Sequence, residues 1–169
     1  TGGVRLYNTT ATITNVTVSE NTSGGGGGIG VISDSGVDIA NSIVWDNTGE
    51  EVVINSGSAN VTYSDIQGGY EGEGNINADP LFIDVDAGDY GLQIESPCID
   101  AGTADLDQDG VEDITDYLGG APDMGAFEMA ISVNPPTNIT YVPQTSSVML
   151  VWNAVSEFYT YMVEKSLVE

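Results

Sequence analysis

The residues best placed to do chemistry lie in one short stretch, Asp105-Leu-Asp107-Gln-Asp109-Gly110-Val-Glu-Asp113. Carboxylates at alternate positions, followed by a glycine, suit a hard divalent cation. Ca²⁺ takes six to eight oxygen ligands, and a glycine lets the chain turn sharply enough to aim them inward. Counting Asp105 as the first position, the twelfth is Asp116. The candidate ligands are therefore Asp105, Asp107, Asp109, Asp113 and Asp116, with Ca²⁺ as a structural ion. The competing reading is an Asx-rich solvated turn that binds nothing. Asp84, Asp86 and Asp89 form a looser acidic group.

Other chemistries are restricted by what is missing. The chain of 169 residues holds no His, which removes the commonest general base and transition-metal ligand. Its one cysteine, Cys98, excludes an internal disulfide. It lies between Pro97 and Ile99 with no basic neighbour to lower its pKa, so it reads as a small buried residue and not as a nucleophile. Arg5 and Lys165 face 26 acidic residues, a net charge of -24. Phosphate backbones and anionic membranes need the opposite sign, so nucleic acid is excluded as a partner. The charge suits cation binding, a salty medium, or plain surface solubility. No apolar run is long enough to span a membrane, so no membrane insertion is expected.

The elements that must position these residues come from an internal repeat. Ile13-Thr-Asn-Val-Thr-Val-Ser-Glu-Asn-Thr22 aligns with Ile39-Ala-Asn-Ser-Ile-Val-Trp-Asp-Asn-Thr48, and a weaker copy carries Val61, Tyr63 and Ile66. An apolar strand precedes each copy: Val4 to Tyr7, Ile29 to Ile32, Val52 to Asn55. Strand-only repeats every 22 to 26 residues imply stacked coils, since one coil cannot bury its own apolar face. Stacking predicts one internal column of Ile13, Ile39 and Val61 and another of Val18, Val44 and Ile66. Asn15 and Asn41 either form an amide ladder along the axis or sit at turns, where Asn tolerates left-handed backbone. Gly24 to Gly28 reads as a turn between coils, because no helix or Lys follows to make a phosphate loop. The repeat is already running at residue 1, which predicts further coils upstream.

From about Asn75 the pattern changes. Asn77-Ala-Asp-Pro-Leu-Phe82, Gly88-Asp-Tyr-Gly-Leu92, Ser96-Pro-Cys-Ile-Asp-Ala-Gly102 and Asp123-Met-Gly-Ala-Phe-Glu128 follow one another. This succession resembles the C-terminal coil and cap of bacterial secreted right-handed parallel β-helix proteins, over roughly residues 1 to 129. The resemblance implies an all-β fold: β-helix coils over 1–74, and a last coil and C-terminal cap over 75–129. It implies an extracellular or cell-surface location. The fold is shared with pectate lyases and polygalacturonases, so it does not fix an activity. An Arg usual between the third and fourth blocks is replaced here by the acidic loop, which resembles an EF-hand or thrombospondin-type calcium loop without flanking helices.

Pro135-Pro136 marks a boundary. Beyond it, Thr137 to Tyr141, Ser147 to Asn153 and Tyr159 to Val163 alternate as strands do. Over 130–169 the chain resembles the first strands of a fibronectin type III module, with Trp152 as its core tryptophan. A whole module needs about 100 residues, so the sandwich is partial.

The function expected is a non-catalytic segment of a surface protein, structural or adhesive, contacting a polysaccharide or cell-surface glycan through Trp45, Tyr63 or Tyr70. The alternative is part of a polysaccharide lyase or glycoside hydrolase whose active site lies mostly outside this chain. Elimination needs a base, and only Arg5 is basic in the repeat region. Hydrolysis needs paired carboxylates, for which Asp34, Asp38, Asp46 and Asp65 qualify by type. Ice binding through Thr10-Ala-Thr12-Ile-Thr14 ranks last, because the array does not recur.

Overall fold

The structure is a computed structural model that describes residues 3–22 and 27–129, and the backbone of 140–143 and 148–151. The described chain is all-β. Nine short strands come first: β1 (Val4–Tyr7), β2 (Thr10–Thr14), β3 (Thr17–Ser19), β4 (Ile29–Ile32), β5 (Ser35–Ala40), β6 (Ile43–Trp45), β7 (Val52–Ile54), β8 (Gly57–Thr62) and β9 (Asp65–Ile66). They make three parallel sheets, ordered β1-β4-β7, β2-β5-β8 and β3-β6-β9. Every strand therefore pairs with its counterpart in the neighbouring triad, as the repeat requires.

The register places Ile13 beside Ile39 and Ile39 beside Val61. It likewise places Val18 beside Val44 and Val44 beside Ile66. Both predicted columns are present. With Leu6, Ile29, Val31 and Val37 they form one core fed by all three sheets. Two of the three connections in each triad are two residues long. Their left-handed residues include Asn8, Ser33 and Asp34 in one set, and Asn15, Asn41 and Tyr63, at φ 53°, 48° and 45°, in the other. The third connection varies in length: 46–51 follow β6, and 20–28 separate β3 from β4, of which 23–26, with most of the Gly24–Gly28 run, lie outside the described residues. Gly28 lies in the longer one, where a Cβ would collide with the carbonyl of Glu51.

Asn15 and Asn41 thus take the turn role and not the ladder. The Asn41 amide leaves the repeat altogether: its Nδ2 donates to the Thr103 carbonyl and its Oδ1 accepts from the Thr103 N–H, both at 2.8 Å. The Asn15 Oδ1 is buried without a hydrogen-bond partner. The ladder forms one turn later. Asn21 Nδ2 donates to Asn47 Oδ1 at 3.0 Å, and Asn47 Nδ2 donates to Glu51 Oε2 at 2.5 Å.

A second series of bonds runs along the stack with a fixed direction. The Val16 N–H donates to Ser42 Oγ, the Ser42 N–H to Ser64 Oγ, and the Ser64 N–H to Asn75 Oδ1. The Thr9 N–H donates to Ser35 Oγ in the same sense. Small polar side chains at the short connections so satisfy backbone donors that the sheets leave over.

Residues 67–77 lie against the last triad. Tyr70 packs on the core, the Tyr63 N–H donates to the Glu73 carbonyl, and Ile76 bridges Asp65 in parallel. The segment expected to cap the coils then runs along the outer face of the β3-β6-β9 sheet. Strand alternation turns Thr17, Ile43 and Asp65 outward on that face. The Ala126 N–H donates to Thr17 Oγ1, Cys98 Sγ donates to Asp65, and Ile43 joins Leu92, Cys98 and Met124 in a second core. Gly125, at φ 99°, packs where a Cβ would strike Ile43. Within this segment β10 (Phe82–Asp84) and β11 (Asp89–Leu92) pair antiparallel.

Residues 132–169 form a separate compact unit. In it β12 (Thr140–Pro143) and β13 (Val148–Val151) pair antiparallel. β13 lies within the strand read over Ser147 to Asn153, and β12 overlaps the one read over Thr137 to Tyr141 at residues 140 and 141. The third, over 159–163, and Trp152 lie outside the described residues.

Candidate functional site

The acidic loop brings Asp105, Asp107 and Asp109 together, with a carboxylate oxygen of each within 4.8 Å of the others. Among the described residues this is the group with cation-ligating spacing. Local hydrogen bonds shape it. Asp105 accepts from the N–H groups of Asp109, at 3.2 Å, and Gly110, at 2.9 Å. Asp107 Oδ1 also accepts from the Asp109 N–H. Gln108 and Gly110 both adopt left-handed backbone, at φ 62° and 88°, which folds the loop around its carboxylates. Asp113 does a different job: its carboxylate accepts from the Leu106 N–H at 2.8 Å, pinning the base of the loop. Asp116 is exposed and outside the group. Three of the five predicted ligands therefore converge. The same bonds are those of an Asx-rich turn, so the loop is prearranged whether or not an ion binds. In the looser set, Asp84 and Asp89 accept from the N–H groups of Ala87 and Gly91 within their own hairpin.

The candidate catalytic carboxylates do not share one place. Asp34 sits in the connection before β5, Asp38 lies within β5, and Asp46 follows β6. Asp65 is fully buried, accepting from the Ala78 N–H at 3.2 Å and from the Cys98 thiol at 3.3 Å. Burial pushes the Asp65 carboxyl above the ordinary carboxylate range, more than these two bonds lower it. Burial, then the adjacent Asp65 charge, pushes the Cys98 thiol far up, which leaves it protonated and unreactive. The sequence singled out neither partner of this buried pair as belonging to the other.

The three aromatic candidates occupy three settings. Tyr63 lies over Gly74 and its hydroxyl donates to Glu73 at 3.0 Å. Tyr70 leans on the core beside Val52 and Ile66. Trp45 projects outward from β6 beside Ile43 and lines a groove with Asp46, Asp79, Leu81, Phe82 and Gln93. Asp79, Leu81 and Gln93 were not legible as site residues. Of the three, only Leu81 has unusual backbone, at φ 53°, a left-handed geometry that costs a bulky L-residue about 1–2 kcal/mol.

Set against family models, curated proteins and solved structures, the chain matches none of them.

Proposed function

We propose that this chain is the C-terminal end of a right-handed parallel β-helix from a secreted or cell-surface bacterial protein. In this reading it is structural and adhesive, contacts glycans, and carries a Ca²⁺-stabilised loop. The observation behind it is the in-register stacking of β1–β9, whose columns share one core while a long irregular segment lies along one outer face. Strands β1, β2 and β3 each end their sheet with one edge unpaired among the described residues.

For the ion, support comes from the three converging carboxylates. In a chain with two basic residues, a divalent cation relieves their mutual repulsion. Asp105, Asp107 and Asp109 would hold it, with water and backbone oxygens completing the shell. The non-catalytic reading rests on the scattering of Asp34, Asp38 and Asp46 and on the burial of Asp65.

Melting the protein with Ca²⁺, with Mg²⁺ and with a chelator tests the ion. Ca²⁺ is expected to raise the melting temperature, and Asp107→Asn with Asp109→Asn to abolish the rise. A melt that is the same with Ca²⁺ and chelator rejects it. Release of reducing ends or unsaturated uronates from any polysaccharide would replace the structural reading with the lyase or hydrolase one.

A further inference from the structure

The groove beside Trp45 has features that neither a packing seam nor a plain surface dip requires. Its floor is the outer margin of the β3-β6-β9 sheet. Thr17, Ile43 and Asp65 on that face are covered by the C-terminal segment, but the neighbouring positions Ser19 and Trp45 face the groove. Its wall is residues 79–93, standing beside the sheet. The Ser19 hydroxyl donates to the Trp45 carbonyl at 2.8 Å, fixing the strand under the indole. Across from it lie the Phe82 ring, braced edge-on by Tyr90 at 5.4 Å, and Gln93, whose Nε2 donates to the Phe82 carbonyl at 2.7 Å.

Polar groups rim this aromatic floor. Asp46 and Asp79 are both exposed and come from opposite sides, one following β6 and the other opening the wall. Both sides carry left-handed backbone, Asp46 at φ 56° and Leu81 at φ 53°. Leu81 is held so by its own N–H, which donates to Asp79 Oδ1 at 3.0 Å, and by its carbonyl, which accepts from the Gln93 N–H at 2.9 Å. The volume is about 320 Å³, at the lower end for small-ligand sites.

We infer that this groove is a subsite for one neutral sugar ring of a glycan chain. A pyranose has an apolar C–H face, which suits an aromatic side chain, and a rim of hydroxyl donors, which suits carboxylates and an amide oxygen. No Lys or Arg lines the groove, and two carboxylates do. An anionic uronic acid would meet like charge there, so the neutral sugar is selected. The inference rests on the glycan-contacting reading above and assigns it to Trp45, and not to Tyr63 or Tyr70.

The test uses the full chain carrying Trp152→Phe, which leaves Trp45 as the single tryptophan. Laminarihexaose, mannohexaose, xylohexaose and trigalacturonate are titrated by tryptophan fluorescence and by calorimetry. At least one neutral hexasaccharide should give saturable binding on both readouts, and trigalacturonate none. Trp45→Ala, Asp79→Asn and Gln93→Ala should each weaken it about tenfold or more, or 1.4 kcal/mol. Because Trp45 also packs on the second core, Asp79→Asn and Gln93→Ala carry the conclusion if Trp45→Ala misfolds. Tyr70→Ala should leave the affinity unchanged. Binding by calorimetry that ignores the groove variants overturns this subsite but leaves the glycan-contacting reading standing. Preference for trigalacturonate overturns the neutral-sugar selection. Absence of saturable binding to all four overturns both.

Discussion

Three buried acids, Asp65, Glu51 and Asp123, share one electrostatic situation: burial raises each pKa and is the largest cause in every case. An acid whose folded pKa is raised contributes stability that is fully present below its unfolded value, and loses it as pH climbs through the raised one. The Asp65 reference value is 3.8, so its share fades as pH rises from there. The melting temperature is therefore expected to increase as pH is lowered from neutrality towards 3.8. Asp65→Asn keeps the Ala78 acceptor and stays neutral at every pH, so it should raise stability at pH 7 and flatten that slope. A variant with the full wild-type slope would show that Asp65 is not its source. Residue types alone did not reveal this pair. Asp65 aligned with Ile43, an outward position, and nothing local announces that Cys98, far along the chain, arrives to cover it.

At the level of elements, the stacking was legible because it depends on a short pattern repeated: β-branched residues at period two, punctuated by residues that tolerate left-handed backbone. Ile13, Ile39 and Val61 could be aligned by type, and the register bears the alignment out. Of the two roles open to Asn15 and Asn41, turn and ladder, the structure takes the turn, and the ladder falls to Asn21 and Asn47. Asn15 with Asn41, and Asn21 with Asn47, recur equally well, and sequence does not say which pair turns inward. The path of residues 78–129 was not legible either. It lacks a period, and its contacts with Thr17, Asn41 and Asp65 are set by tertiary packing. Column position also carries an energetic expectation. Ile39 is enclosed on both sides along the stack, while Ile13 ends the column and is 8% exposed against 1%. Ile39→Ala should cost about 2–5 kcal/mol in urea denaturation, and Ile13→Ala less. Equal costs would mean that the columns do not share one continuous core.

For the whole molecule, the charge of -24 dominates. Self-repulsion of that kind is long-ranged and screened by monovalent salt, the Debye length falling from about 30 Å at 0.01 M to about 3 Å at 1 M. Sodium chloride is expected to raise the melting temperature steadily over that range. The Ca²⁺ increment should survive at high salt, because it arises from ligands in direct contact and not from the diffuse field. If salt alone erases the increment, the divalent effect was screening. Among the described residues no helix is long and apolar enough to cross a membrane.

The unequal connections have an engineering consequence. In each triad two connections are held to two residues by sheet register and by the serine and asparagine bonds beneath them. The third has already absorbed a change of length between 20–28 and 46–51 without disturbing the register on either side. That side of the stack is where foreign sequence should be accepted. A peptide grafted between Gly49 and Glu50 would be displayed from a rigid frame, whereas the same graft at Asn41-Ser42 would break both the serine relay and the anchor to Thr103.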